Sequence, residues 1–169
     1  MDLYPLKLKP ILKERLWGGR NLIGWNKKLP AEKKIGESWE ISDHQEGYSL
    51  IVNGLFAGRT IRQVCADFKS ELMGVGPVRY QDSRFPLLVK LIDAQELLSI
   101  QVHPDDEYAA KNRYSDPGKT EFWYILEARP GAKIIKGWKQ DVSREMVEKA
   151  ILEDTLADLL QEFPVQKGQ

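Results

Sequence analysis

Three side chains that could hold a divalent cation occur in order along the chain: Gln101, His103 and Glu121. The first two belong to the run Leu97-Leu98-Ser99-Ile100-Gln101-Val102-His103-Pro104. Strand alternation there puts Leu98, Ile100 and Val102 on one face and Ser99, Gln101 and His103 on the other. Residues two apart on a strand are separated by roughly 6.5–7 Å, so Gln101 and His103 can converge on one ion. Glu121 follows a tight turn and begins the aromatic run Glu121-Phe122-Trp123-Tyr124-Ile125-Leu126, with Lys119 two residues before it. An amide oxygen, an imidazole and a carboxylate make an N/O set that suits zinc. Two neutral ligands and one of charge −1 would leave the ion net positive, as a Lewis acid requires. The competing reading is a wet sheet face, since antiparallel sheets are often solvated on one side.

Other residues invite chemistry less sharply. Lys90 lies in Phe85-Pro86-Leu87-Leu88-Val89-Lys90-Leu91-Ile92, sharing a face with Leu88 and Ile92. An interior lysine needs a carboxylate or a bound anion; an edge-strand lysine simply reaches water. Glu37 and Glu40, in Glu37-Ser38-Trp39-Glu40, could each be a general acid or base, or surface residues beside a buried tryptophan. Trp17, before Gly18-Gly19, could line a sugar pocket or pack in a core. His44, in a polar turn-like stretch, is expected to be exposed, and Cys65 to be a small core residue. Among sequence motifs there is no phosphate-binding glycine loop, no His-Glu-x-x-His and no Gly-x-Ser-x-Gly.

The elements that must position these residues read as mainly β. Strands are expected at Trp39–Ile41, Ser49–Val52, Pro86–Ile92, Leu97–His103, Glu121–Glu127 and Ala132–Trp138. Thr60 is expected to cap a helix carrying Ile61, Val64, Cys65, Phe68 and Leu72. Pro104 fits a first helical position followed by Asp105, Asp106 and Glu107. Ser143 is expected to cap another helix, and Leu156, Leu159, Leu160 and Phe163 to form a further short one. Loops are expected at Gly18–Lys34, with solvated lysines, at Gly74–Pro86 and at Tyr114–Lys119. Strands do not alternate regularly with helices, which excludes a doubly wound sheet and favours a β-sandwich or small barrel.

Composition bounds the function. The 169 residues are 42% hydrophobic and carry 25 basic and 25 acidic side chains, which argues against a nucleic-acid or anionic-membrane partner. One cysteine excludes an internal disulfide framework. No apolar run approaches a membrane span and the N-terminus has no signal-peptide pattern, so the expected location is cytoplasmic.

Five segments together resemble a known family: Leu16-Trp17-Gly18-Gly19, Ile35 to Ser42, Phe85 to Ile92, Leu98-Ser-Ile-Gln-Val-His-Pro-Asp-Asp106 and Gly118-Lys-Thr-Glu-Phe-Trp-Tyr-Ile-Leu126. They resemble the N-terminal part of the type I phosphomannose isomerases, zinc enzymes of the cupin superfamily. The resemblance implies a mainly β, cupin-type jelly-roll barrel with a few inserted helices, apparently truncated, with residues 1–169 as its N-terminal portion. It implies Gln101, His103 and Glu121 as ligands of one Zn²⁺, with a fourth protein ligand expected beyond residue 169. It implies Lys119 and Glu37 as catalytic candidates. Trp17, Lys90 and Ser99 would be substrate-binding residues, with phosphate as a partner. Gly118 and Thr120 stand where some relatives carry histidine and proline. The implied reaction interconverts mannose 6-phosphate and fructose 6-phosphate through an enediol-like species; the base is left open between Glu37, Lys119 and a metal-bound water. The alternative is a non-catalytic cupin sugar-binding or regulatory module. The expected partners are a phosphorylated hexose and a second copy or a C-terminal piece, and the chain alone is expected to be a poor isomerase.

Overall fold

The computed structural model describes residues 3–75 and 84–169. They divide into two compact units, Met1–Ile100 and Gln101–Gln169. Among the described residues no helix is long and apolar enough to cross a membrane. Of the loop expected over Gly74–Pro86, residues 76–83 lie outside the described ones.

In the first unit, β1 (Ile11–Gly19) pairs antiparallel with β2 (Ile35–Ile41), with Ile11 opposite Trp39 and Lys13 opposite Glu37. A short hairpin follows, β3 (Asp43–His44) with β4 (Gly47–Tyr48), then helices α1 (Ile61–Phe68) and α2 (Ser70–Met73). β5 (Val89–Ile92) then pairs with the other side of β2, with Trp39 opposite Lys90 and Glu37 opposite Ile92. The period of two therefore lines up Lys13, Glu37, Trp39, Lys90 and Ile92 on one face of a three-stranded sheet. β1 has no counterpart among the expected strands: its Lys13, Glu14 and Arg15 hide the apolar alternation.

β1 is interrupted. Glu14 and Gly19 are both in register with Ile35, so residues 15–18 arch out of the ladder and return to the same partner. The arch lies close over β2. A Cβ on Gly18 would sit 2.4 Å from the Gly36 nitrogen, and one on Gly36 would sit 2.6 Å from both Arg15 and Trp17. Glycine is needed at both positions because backbone and side chains occupy that space.

The core of this unit is Ile51, Phe56 and Val64, with Leu3, Tyr4, Leu6, Leu8, Phe68 and Leu72 packed against it. Tyr4 stacks on Phe56 at 5.3 Å, accepts a hydrogen bond from the Phe56 amide and donates one to the Asn53 carbonyl. Thr60 caps α1 as expected, in a reciprocal capping box with Gln63. Cys65 is fully buried, and burial, with Asp43 nearby, pushes its thiol up to about 11. The strand expected at Ser49–Val52 is instead a pair of isolated bridges, Leu8 with Ile51 and Leu50 with Thr60. The loop lysines are not all solvated: Lys27 is largely buried in an ion pair with Glu40 at 2.6 Å, and Ser38 holds the other Glu40 oxygen.

The second unit contains α3 (Asp106–Lys111), β6 (Lys133–Trp138), α4 (Arg144–Leu152) and β7 (Leu160–Pro164). Asp105 caps α3, its side chain accepting the Tyr108 amide, so Pro104 stands one position before the cap and not at the first helical position. Ser143 caps α4 as expected. The helix expected from Leu156 to Phe163 stops at Leu159, and Leu160–Pro164 pairs antiparallel with β6, Phe163 opposite Ile134. Cross-strand pairing overrides the helical spacing there. The segments Leu97–His103 and Glu121–Glu127 join no ladder among the described residues. Ile125 does exchange backbone hydrogen bonds with the end of the chain, donating to Gln169 and accepting from Gly168.

Candidate functional site

In the second unit the turn at Asp116-Pro117-Gly118 folds back on the segment after His103. The Gly118 amide donates to the Asp106 carboxylate at 3.1 Å, and the Lys119 amide donates to the Pro104 carbonyl at 2.9 Å. A Cβ on Gly118 would lie 2.2 Å from the Asp105 carbonyl carbon, so a side chain there would force the two segments apart. This clamp brings three side chains together. Lys119 Nζ lies 2.6 Å from Glu121 Oε2 and 3.0 Å from His103 Nε2, and His103 Nε2 lies 3.4 Å from Glu121 Oε1. Nε2 of His103 is thus within reach of both the Lys119 ammonium and the Glu121 carboxylate. Burial raises the Glu121 carboxyl, but the hydrogen bond and charge of Lys119, with His103, hold it below the usual range.

The Lys119 ammonium thus sits between an imidazole nitrogen and a carboxylate. An imidazole nitrogen and a carboxylate are donor types that fit zinc. Gln101, the third expected ligand, is exposed. Among the described residues no three of His, Cys, Asp and Glu come together.

In the first unit the sheet face assembles a different group around Glu37, whose side chain is only 10% exposed. Its Oε2 accepts from Arg15 at 3.0 Å and from the Trp39 indole N–H at 2.9 Å. Its Oε1 faces Lys90 Nζ at 3.4 Å. The Trp39 ring carries two ammonium groups, Lys13 at 4.2 Å and Lys90 at 5.0 Å from its centroid. Lys90 therefore does have the carboxylate partner an interior lysine requires, although its strand lies at the edge of the described sheet. Trp39 is buried as expected, but Lys13 and Arg15 escape the sequence reading; the signal that finds them is register.

Trp17 is half-buried, its ring beside Gly36 and its carbonyl bonded to the Gln95 amide. Ser99 is exposed. His44 is half-buried rather than exposed: its Nδ1 accepts the Glu46 amide and its ring meets Trp39 edge-on at 6.0 Å.

Glu37 makes a prediction about acid stability. Burial pushes its carboxyl up, but the Trp39 hydrogen bond and the Lys90 and Arg15 charges outweigh that and hold it below the usual range. Such a group stabilises the fold fully above its unfolded value, about 4.3, and that contribution is lost as pH falls through the lower folded value. Glu37→Gln is therefore expected to cost stability at pH 7 and progressively less at lower pH. Urea melts of both proteins at pH 7 and pH 3 check this; a gap that stays constant with pH contradicts it.

Comparison with known proteins bears on the whole arrangement. The family model described as phosphomannose isomerase type I, catalytic domain, matches residues 5–122. Mannose-6-phosphate isomerase ManA of Bacillus subtilis is 38% identical over 146 residues, covering 86% of this chain and 44% of the relative. A mannose-6-phosphate isomerase of Streptococcus mutans is 37% identical over 167 residues, covering 97% and 50%. The chain thus spans about half the length of the curated relatives it matches. The crystal structure of the mannose 6-phosphate isomerase from Bacillus subtilis superposes with a TM-score of 0.86 at 36% identity, covering 98% of this chain and 51% of that one. The expected cupin-type, mainly β architecture with a few inserted helices is the one the two share. With its family model spanning both the Glu37 strand and the His103–Glu121 segment, the chain belongs to the type I phosphomannose isomerases.

Proposed function

We propose that this chain carries zinc-binding and sugar-phosphate-binding residues of an enzyme that interconverts mannose 6-phosphate and fructose 6-phosphate. The observation that carries the reading is the convergence of His103 and Glu121 on one cationic position, now held by Lys119. His103 through Nε2 and Glu121 through its carboxylate would hold the ion, with Gln101 as a third ligand. When bound, the ion would act as a Lewis acid towards the sugar carbonyl and the oxyanion that develops from it.

The reaction moves a proton between C1 and C2 and another between O1 and O2. Lys119 Nζ is the proton-bearing atom beside the two donors and would hold a proton for a substrate oxygen. Lys90 would bind the phosphate, and Trp17 and Ser99 would contact the sugar. Both Glu37 oxygens are engaged by donors, which supports a role other than proton transfer for that carboxylate.

A single preparation tests the reading. Elemental analysis of the purified chain is expected to find zinc. A coupled assay is expected to show slow conversion of mannose 6-phosphate that a chelator abolishes and zinc restores. Binding of mannose 6-phosphate with no turnover at any zinc concentration would replace this reading with the non-catalytic sugar-binding module.

A further inference from the structure

We propose that Trp39 and Glu37 are positioning residues for Lys90, and that together they set the preference for a phosphorylated over an unphosphorylated sugar. The inference rests on the reading of Lys90 as the phosphate partner.

The geometry is asymmetric. Arg15 and the Trp39 N–H both hold Oε2 of Glu37, at 3.0 and 2.9 Å, which fixes the carboxylate plane and leaves Oε1 turned to Lys90. The Lys90 contact, at 3.4 Å, is longer than either. An ammonium has three donors, and among the described residues this contact engages one of them, weakly, so Lys90 is held in place with hydrogen-bonding capacity to spare.

The Trp39 ring supports the same ammonium from its face. It lies on the central strand between Lys13 of β1 and Lys90 of β5, and Lys13 is itself anchored on the Glu46 carbonyl at 2.7 Å. Trp39 is 3% exposed, so the ring has little freedom to move. Lys13, Arg15 and Lys90 carry three positive charges against the one negative charge of Glu37. The surplus of two matches a sugar phosphate, which carries about −1.5 to −2 near pH 7. A neutral sugar gains nothing from it.

The test compares mannose 6-phosphate with mannose by calorimetry on the folded chain, across four proteins. Trp39→Phe keeps an aromatic face and removes the N–H that fixes Glu37. It is expected to weaken mannose 6-phosphate binding about 10-fold while changing mannose binding less than about 2-fold. Arg15→Lys keeps the charge but loses the planar fork, and is expected to shift the same ratio by about 3-fold. It also serves if Trp39→Phe fails to fold. Lys90→Ala is the reference and should lose the preference most.

If Lys90→Ala abolishes the preference while Trp39→Phe and Arg15→Lys leave it intact, the positioning proposal is wrong and the Lys90 reading survives. Equal losses for both sugars in the folded variants overturn it too, since a merely structural role weakens both. If Lys90→Ala leaves the preference unchanged, or the unsubstituted chain binds no mannose 6-phosphate, the Lys90 reading fails and this proposal falls with it.

Discussion

Replacing His103 by alanine is expected to lower the zinc affinity of the chain by more than about 100-fold. Removing a partner that merely orients a ligand already costs 10- to 100-fold, and His103 would be a ligand itself. Its Nε2 faces both Lys119 and Glu121. No other imidazole stands in to replace it: the only other histidine, His44, belongs to the first unit and uses its Nδ1 on the Glu46 amide. Competition against a coloured chelator measures the change. Glu107→Gln, at an exposed acidic side chain in the first turn of α3, is the control and should change affinity less than about 2-fold. If His103→Ala and Glu107→Gln bind zinc alike, the metal does not sit at His103.

Phe56→Ala is expected to destabilise the first unit by about 3–5 kcal/mol. Phe56 is 2% exposed, stacks on Tyr4, meets Phe68 edge to face at 5.3 Å and closes the cluster with Ile51 and Val64. Truncation removes the transfer free energy of the ring and leaves a cavity. The Tyr4 hydroxyl is tied to the Asn53 carbonyl and the residue-56 amide, which limits collapse into the gap. Small domains have only about 5–15 kcal/mol in total, so a large share of the stability goes. Leu55, next in sequence but 75% exposed, is the control, and Leu55→Ala should stay within about 0.5 kcal/mol. Denaturant melts of the two variants decide: equal midpoints would show that the Phe56 cluster is not the core.

The parts of this fold that could be read from sequence are those whose signal is local. Thr60 with Gln63, and Ser143 before its helix, announce caps within a few residues of the groups they satisfy. The Asp116-Pro117-Gly118 turn was visible for the same reason, and it places Lys119 and Glu121 beside His103. What failed needed a distant neighbour. Leu160–Pro164 has helical spacing, yet it is a strand because β6 lies beside it. The runs at Leu97–His103 and Glu121–Glu127 have strand composition without a ladder, since composition does not supply a partner. Lys13 and Arg15 carry no local signal, and Lys27 reads as part of a wet loop; register and ion pairing put Glu37 and Glu40 against them.

The long reach of the β1-β2-β5 sheet also bears on how the chain acquires its fold as it is made. Lys90 meets Glu37 across 53 positions, and Asp93 receives the Asn21 amide across 72. Pairing so remote has a high loop-closure cost and slows folding relative to local contacts. On a ribosome adding about 5–20 residues per second, β1 and β2 emerge some seconds before β5 does. During that interval the β2 edge that will receive Lys90 is unpaired, and Trp39 beside it is uncovered on that side. Helix α1, with its own capping box, can form meanwhile from residues that are all present. The residues of the Ile51–Phe56–Val64 core are therefore all made before Lys90 is, and a pause before residue 89 would leave the β2 edge open.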